Sequence, residues 1–112
     1  MENWADELDA GVTVIDGRGV IVYMNGKAAK IFERFGGERL VGKNALECHP
    51  EPARTKLAEL LQTPRVNAYT IEKNGVRKLI YQAPWRKDGK FGGIVELSLE
   101  LPAEMPHHVR KP

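Results

Sequence analysis

Three consecutive strand patterns joined by tight turns restrict the fold more than any other feature of this sequence. Residues 66 to 73 meet residues 76 to 86 across Asn74-Gly75, a strong hairpin signal, and Lys87-Asp88-Gly89-Lys90 leads into residues 91 to 101. We therefore expect three antiparallel neighbours. Apolar side chains alternate along the last two, so that one face carries Leu79, Tyr81, Ala83 and Trp85, and the other strand presents Val95, Leu97, Leu99 and Leu101.

The first half of the chain predicts a hairpin followed by helices. Two β-branched segments, residues 12 to 15 and 20 to 24, flank the turn sequence Asp16-Gly17-Arg18-Gly19. Apolar residues then recur at helical spacing after Asn25, a predicted N-cap, until Gly36-Gly37 ends the pattern. A second helix is expected over residues 53 to 62.

The two ends of the chain are predicted to flank this domain. Residues 1 to 10 form an acidic segment in which Trp4 and Leu8 stand four apart, which predicts a short amphipathic helix with both on one side. Residues 102 to 112 contain three prolines and no periodic pattern, which predicts a flexible tail.

Length and charge exclude several classes of function. With 112 residues the chain has room for one domain. The 17 basic and 15 acidic side chains give a net charge of +2 and form no block of like charge, which disfavours binding to nucleic acid or an anionic membrane. No apolar stretch of roughly 20 residues and no signal-like start is seen, so a cytoplasmic location is expected. Cys48 is the only cysteine, so it has no intrachain partner.

The order of two strands, helices and three strands, together with local motifs, resembles the PAS domain family. In the family's opening hairpin and first helix, the matching segments of this chain are Gly11 to Asp16, Gly19 to Asn25 and Ala28 to Phe32. Two later segments of the family are matched by Leu40-Val41-Gly42-Lys43 and His49-Pro50-Glu51. The resemblance implies an α+β fold over residues 11 to 101, with a five-stranded antiparallel sheet in the order 2-1-5-4-3 and the helical connector on one face.

The same resemblance implies a sensory or interaction module in signal transduction, including transcription regulation, rather than an enzyme. Its expected partners are a signalling protein, a small-molecule ligand between sheet and helices, and a second copy of the chain. Trp4 and Leu8 are the predicted anchors of a homodimer. The candidate ligand-binding residues are Asn44, His49, Thr55, Tyr69, Tyr81 and Trp85. Aromatic residues on strands more often pack on the sheet face, so the three aromatics are candidates only where they face the helices.

Cofactor chemistry leaves two alternatives beside a sensor without a cofactor. His49 could ligate haem, although similar oxygen-sensing domains carry the ligand about six residues further on, where Thr55 stands. Flavin photochemistry is disfavoured because Ala45 occupies the position matching the adduct-forming cysteine. A small enzyme or thiol-redox protein would use Cys48 beside His49, but no third group is evident to orient the base. No metal site is predicted, since His107-His108 alone cannot complete one.

Overall fold

The five strands form one antiparallel sheet in the order β2-β1-β5-β4-β3. The structure is a computed structural model that describes residues 3–112. Its strands are β1 (Gly11–Asp16), β2 (Ile21–Met24), β3 (Asn67–Lys73), β4 (Val76–Lys87) and β5 (Lys90–Leu101). The predicted fold class and strand order are therefore confirmed.

Two hairpin turns use the residues that tolerate a left-handed backbone. Asn74 and Gly75 have φ angles of 53° and 78°, and Asp88 and Gly89 repeat the pattern at 52° and 78°. Positive φ at both central positions is the geometry that matches the twist of the flanking strands. These turns fix the register in which β3, β4 and β5 pair.

In the sequence, the helices follow the second strand and precede the third. They are α1 (Gly26–Ile31), α2 (Ala45–Cys48) and α3 (Ala53–Gln62), with two 3-10 turns at Glu33–Phe35 and Gly37–Leu40. Asn25 begins α1 as its N-cap, accepting a hydrogen bond from the Ala28 amide, and Asn44 begins α2 in the same way. None of the helices among residues 3–112 is long and apolar enough to cross a membrane.

The N-terminal segment does not form the predicted helix. Residues 4 to 7 form a turn, with Asp6 N bonded to Asn3 O and Leu8 N bonded to Ala5 O; Met1 and Glu2 lie outside the described residues. The buried side chain of Asn25 holds this segment, because its amide donates to the carbonyl oxygens of Ala5 and Ala10 at 2.9 and 2.8 Å. Side-chain anchoring replaces helix formation, since so short a helix is marginal in water.

The core lies between the helices and one face of the sheet, which we call the inner face. Ile15 and Ile94 from the sheet pack with Ile21, Leu40, Ala45, Leu57 and Leu60. Alternation along the strands places Val12, Val14, Tyr81, Ala83, Val95 and Leu97 on the opposite side, which we call the outer face. The apolar face predicted from the alternation exists, but it is turned away from the helices.

Candidate functional site

A cavity of about 150 Å³ lies between the inner face and the helices. Most of its wall is apolar, formed by Ile15, Ile21, Met24, Phe32, Phe35, Leu40, Ala45, Pro50, Leu57 and Ile94. Phe35 is 61% exposed, so it stands at the rim where the cavity meets solvent. A mainly apolar cavity with a few polar groups is the common form of a small-molecule site.

The polar part of the cavity comes from one row of residues across the sheet. Asn67 pairs with Gln82, Gln82 with Glu96, and Glu96 with Thr13 in the strand register. Of these, Thr13, Gln82 and Glu96 line the cavity. Residues opposite each other on antiparallel strands share a face, so one level of the register aligns all four side chains. We call these four residues the polar row.

Hydrogen bonds fix the orientation of the polar row. The Asn67 amide donates from Nδ2 to Gln82 Oε1 at 2.8 Å, and Gln82 donates from Nε2 to Glu96 Oε1 at 2.8 Å. Gln82 is 7% exposed, so both ends of its side chain are occupied within the protein. Glu96 also raises the pKa of Tyr69, as the second cause after burial of that phenol.

His49, a predicted ligand-binding residue, lies on the cavity wall. Its Nδ1 is 2.6 Å from the Ala45 carbonyl oxygen. A carbonyl oxygen only accepts, so Nδ1 carries the proton of the neutral ring and Nε2 is left as an acceptor. In this tautomer the acceptor of the ring is Nε2, and the His49 side chain is part of the cavity lining.

The other predicted ligand-binding residues do not line this cavity. Asn44 caps α2 through Leu46 N and donates to Arg18 O, and Thr55 is exposed on α3 with its hydroxyl bonded to Glu51. Tyr69 lies on the inner face by its register with Ile80, but it is 43% exposed beyond the helices. Each of the three has a structural role or a solvent-exposed position.

Tyr81 and Trp85 lie on the outer face. Tyr81 pairs with Leu97, and the Trp85 indole donates from Nε1 to the Ile15 carbonyl oxygen at 3.0 Å. The sequence shows that these residues share a face, but alternation alone does not tell which face the helices cover. The polar cavity residues that the sequence did not indicate are Thr13, Gln82 and Glu96. Each is a polar side chain on a strand, at positions that alternate with the apolar residues of the outer face.

Cys48 and His49 both line the cavity without contacting each other through a hydrogen bond. Cys48 Sγ is 3.5 Å from Asn44 O, while His49 binds Ala45 O, so each side chain is turned to a different carbonyl four residues earlier. This geometry does not form a nucleophile and base pair, which needs a direct hydrogen bond between the two.

Haem does not fit the residues that form this cavity. Pockets for drug-sized ligands start at roughly 300 Å³, whereas this cavity holds about 150 Å³ and a porphyrin is larger still. Thr55, at the position matched to the haem ligand, is exposed. His49 lines the cavity, but the space beside it is this same volume of about 150 Å³, which is too small for a porphyrin.

Comparison with known proteins gives one family and several solved structures. The family described as PAS fold matches residues 1–90. The PAS domain of BvgS from Bordetella pertussis is 18% identical with a TM-score of 0.61, covering 88% of this chain and 81% of that one. The Aer2 receptor from Vibrio cholerae, described as a dual PAS-heme oxygen sensor, is 19% identical with a TM-score of 0.59, covering 83% and 95%.

A third similar structure is a sensory box sensor histidine kinase from Vibrio cholerae. It is 22% identical with a TM-score of 0.61, covering 87% of this chain and 86% of that one. At these identities the structures share the fold with this chain. A search of curated protein sequences finds no match.

Proposed function

The chain belongs to the PAS-fold family, and we propose that it is a sensory module whose inner cavity binds a small, mainly apolar molecule. The observation that carries this proposal is the cavity, with its apolar wall and its polar row. PAS domains are generally sensory rather than catalytic, and the separate hydrogen bonds of Cys48 and His49 favour a role without catalysis.

The volume of the cavity limits the size of the ligand. An apolar cavity of about 150 Å³ in another protein binds benzene, and the cavity here has the same volume. A single aromatic ring or a short aliphatic chain is the size class that fits without displacing core residues. Larger ligands would need movement of the rim, where Phe35 lies between α1 and the glycines Gly36 and Gly37.

The signal would pass from the cavity to the sheet. Thr13, Gln82 and Glu96 stand on three different strands, so a ligand touching them contacts β1, β4 and β5 together. Ligand binding shifts a protein between two arrangements only if its affinity for them differs. In this proposal the difference comes from ligand contacts with Thr13 and Glu96, which add to the hydrogen bonds that the polar row already makes.

The outer face is the surface through which we propose that the signal reaches another protein. Val14, Tyr81 and Leu97 lie there partly exposed, whereas Val12 is already buried at 7% exposure. Tyr23 binds Asp6 at 2.5 Å, which places the N-terminal segment beside this face. Trp4 is 80% exposed and available for contact. A homodimer and a signalling partner remain proposed occupants, and the cytoplasm remains the proposed location.

The test of the proposed function is an NMR titration of the purified chain with toluene. We expect amide shifts at the residues that line the cavity, saturating with one molecule per chain. The variant Ala45→Val adds two methyl groups to a buried wall residue and should weaken toluene binding at least tenfold. Ala58→Val makes the same change on a partly exposed helical position outside the cavity wall and should bind like the wild type.

Two results would contradict the proposal. One is the absence of shifts at the solubility limit of toluene in the folded wild type. The other is a set of shifts confined to the outer face, with Ala45→Val and wild type behaving alike.

A further inference from the structure

We propose that the ligand is a small organic cation, such as a primary amine on one aromatic ring or a short aliphatic chain, and that Glu96 determines this specificity. The inference rests on the proposed function, since it names the chemical class that the same cavity accepts. It is carried by the charge and hydrogen-bonding groups that the polar row presents.

Glu96 is the charged group of the cavity wall. No Lys or Arg side chain is among the residues that line the cavity, and within residues 3–112 Glu96 takes part in no salt bridge. An ionised carboxylate has room for about four hydrogen bonds, while the interaction that the protein provides is the one from Gln82. A carboxylate next to apolar walls is costly unless a positive or donating group meets it.

The other polar groups of the cavity add both donors and acceptors. Gln82 uses one of its two amide hydrogens on Glu96, and the Thr13 hydroxyl can donate or accept. Cys48 directs its thiol to Asn44 O, and His49 presents Nε2 as an acceptor in its neutral form. A ligand ammonium carries three donors, which suits a carboxylate on the sheet side of the cavity and an imidazole nitrogen on the helical side. A carboxylate ligand would meet repulsion from Glu96 and no cation.

The orientation of this site is fixed from outside the cavity. Asn67 donates to Gln82 Oε1, so Gln82 must turn its amide nitrogen to Glu96. That bond holds one carboxylate oxygen in place against β4 and leaves the other oxygen as the ligand contact. Asn67 and Gln82 are accordingly positioning residues for Glu96.

The experiment compares benzylamine, toluene and benzoate, three probes built on the same ring, by isothermal titration calorimetry of the purified chain. We expect benzylamine to bind at least tenfold more tightly than toluene, and benzoate to bind more weakly than either. The variant Glu96→Gln keeps the shape of the side chain and removes its charge. It should weaken benzylamine by about tenfold to a hundredfold, as for loss of a charge-assisted hydrogen bond, with toluene unchanged.

The outcomes separate the two proposals. Binding of toluene without any preference for benzylamine, or equal losses for both probes in Glu96→Gln, would overturn the assignment of a cationic ligand while the cavity remains a binding site. Failure of all three probes in the folded wild type would overturn the proposed function and this inference with it. The probe comparison on the wild type needs no variant, so a poorly folding Glu96→Gln leaves the test intact.

Discussion

Gln82 donates a hydrogen bond from Nε2 to Glu96 Oε1 over 2.8 Å, and this bond joins the two central residues of the polar row. Gln82 is nearly fully buried, and Asn67 occupies its other end. A buried polar side chain is tolerated in a sheet when both of its ends are satisfied. The polar row therefore stabilises the sheet at the same position along the strands where its side chains line the cavity.

Replacing Gln82 by Met should lower the free energy of unfolding by about 1 to 3 kcal/mol, because Asn67 and Glu96 would lose their partner inside the protein. Met preserves the length of the side chain, so little cavity is created. Urea denaturation monitored by circular dichroism measures the change. Gln62→Met, at the exposed end of α3, is the control and should stay within about 0.5 kcal/mol. Equal effects of the two changes would contradict a role for the row.

The two asparagine caps should differ in their contribution to stability. Asn25 accepts from Val12 N and Ala28 N and donates to Ala5 O and Ala10 O, all from a position that is 1% exposed. Asn25→Ala removes a cap and leaves buried groups unsatisfied, so we expect a loss of about 3 kcal/mol. Asn44→Ala, at a partly exposed cap, should cost about 1 kcal/mol. Equal urea midpoints for both variants would show that Asn25 is only a helix cap.

Tyr23 should ionise at an unusually high pH. Burial, and after it the hydrogen bond to Asp6, raise the pKa of Tyr23 to about 12. The folded protein thus holds this proton more tightly than the unfolded chain, whose tyrosine pKa is about 10. The contribution to stability is present below pH 10 and is lost as the pH rises towards 12.

Absorbance at 295 nm during an alkaline titration measures this ionisation. Wild type should show one tyrosine that titrates last, and Tyr23→Phe should lack that step. Asp6→Asn should lower the pKa of Tyr23 only in part, because burial is the larger cause. If the last ionisation persists in Tyr23→Phe, it belongs to Tyr69, whose pKa is also raised, and not to Tyr23.

Gly92 should not tolerate a side chain, because the Trp85 indole ring lies over it. A Cβ atom at Gly92 would come within 2.2 Å of Trp85 Cζ3, and moving the ring breaks its 3.0 Å hydrogen bond to Ile15 O. Gly92→Ala should therefore cost about 1 to 3 kcal/mol and alter the tryptophan fluorescence. Gly17→Ala places its Cβ 3.8 Å from Phe91 and is the matched control, with little change expected. A normal melting temperature for Gly92→Ala would show that the ring can move at no cost.

The hairpins and the first helix could be predicted from the sequence because the residues that determine them are close to one another along the chain. Asn74-Gly75 and Asp88-Gly89 set the hairpins, and Asn25 and the apolar spacing after it set the first helix. The strand order 2-1-5-4-3 came from the resemblance to a family, since non-local pairing between β1 and β5 leaves no local pattern. The N-terminal segment was misjudged because its structure depends on Asn25, which lies 20 residues from Ala5.

The candidate site could be predicted only in part. His49 lies on the cavity wall and its ligand-binding role stays a prediction, whereas Tyr81 and Trp85, also named as ligand-binding candidates, lie on the outer face. The apolar residues of β4 and β5 suggested a buried face, yet the helices cover the face that carries Gln82 and Glu96. Which face is covered depends on how the helical segment crosses the sheet, and the alternation of one strand does not contain that information.

The proposed homodimer has two predicted anchors on the N-terminal segment, Trp4 and Leu8. Trp4 is 80% exposed and Leu8 is 40% exposed in the single chain, so Trp4 has more surface left to bury in a dimer. Full burial of such side chains contributes roughly 1.5 to 3 kcal/mol each. Trp4→Ala should therefore weaken dimerisation by about tenfold to a hundredfold, and Leu8→Ala by less, because part of Leu8 is already covered.

Sedimentation velocity across micromolar concentrations measures the dimer constants of the wild type and of both variants. Val109→Ala is the matched control, since Val109 is 85% exposed and lies in the C-terminal segment after the last strand. It should dimerise like the wild type. A strictly monomeric wild type would end the homodimer proposal and leave the outer face to a different protein. A dimer that forms equally well in Trp4→Ala would instead place the interface away from the N-terminal segment. If Trp4 is buried in the dimer, replacing it by Ala removes buried apolar area and must weaken the dimer.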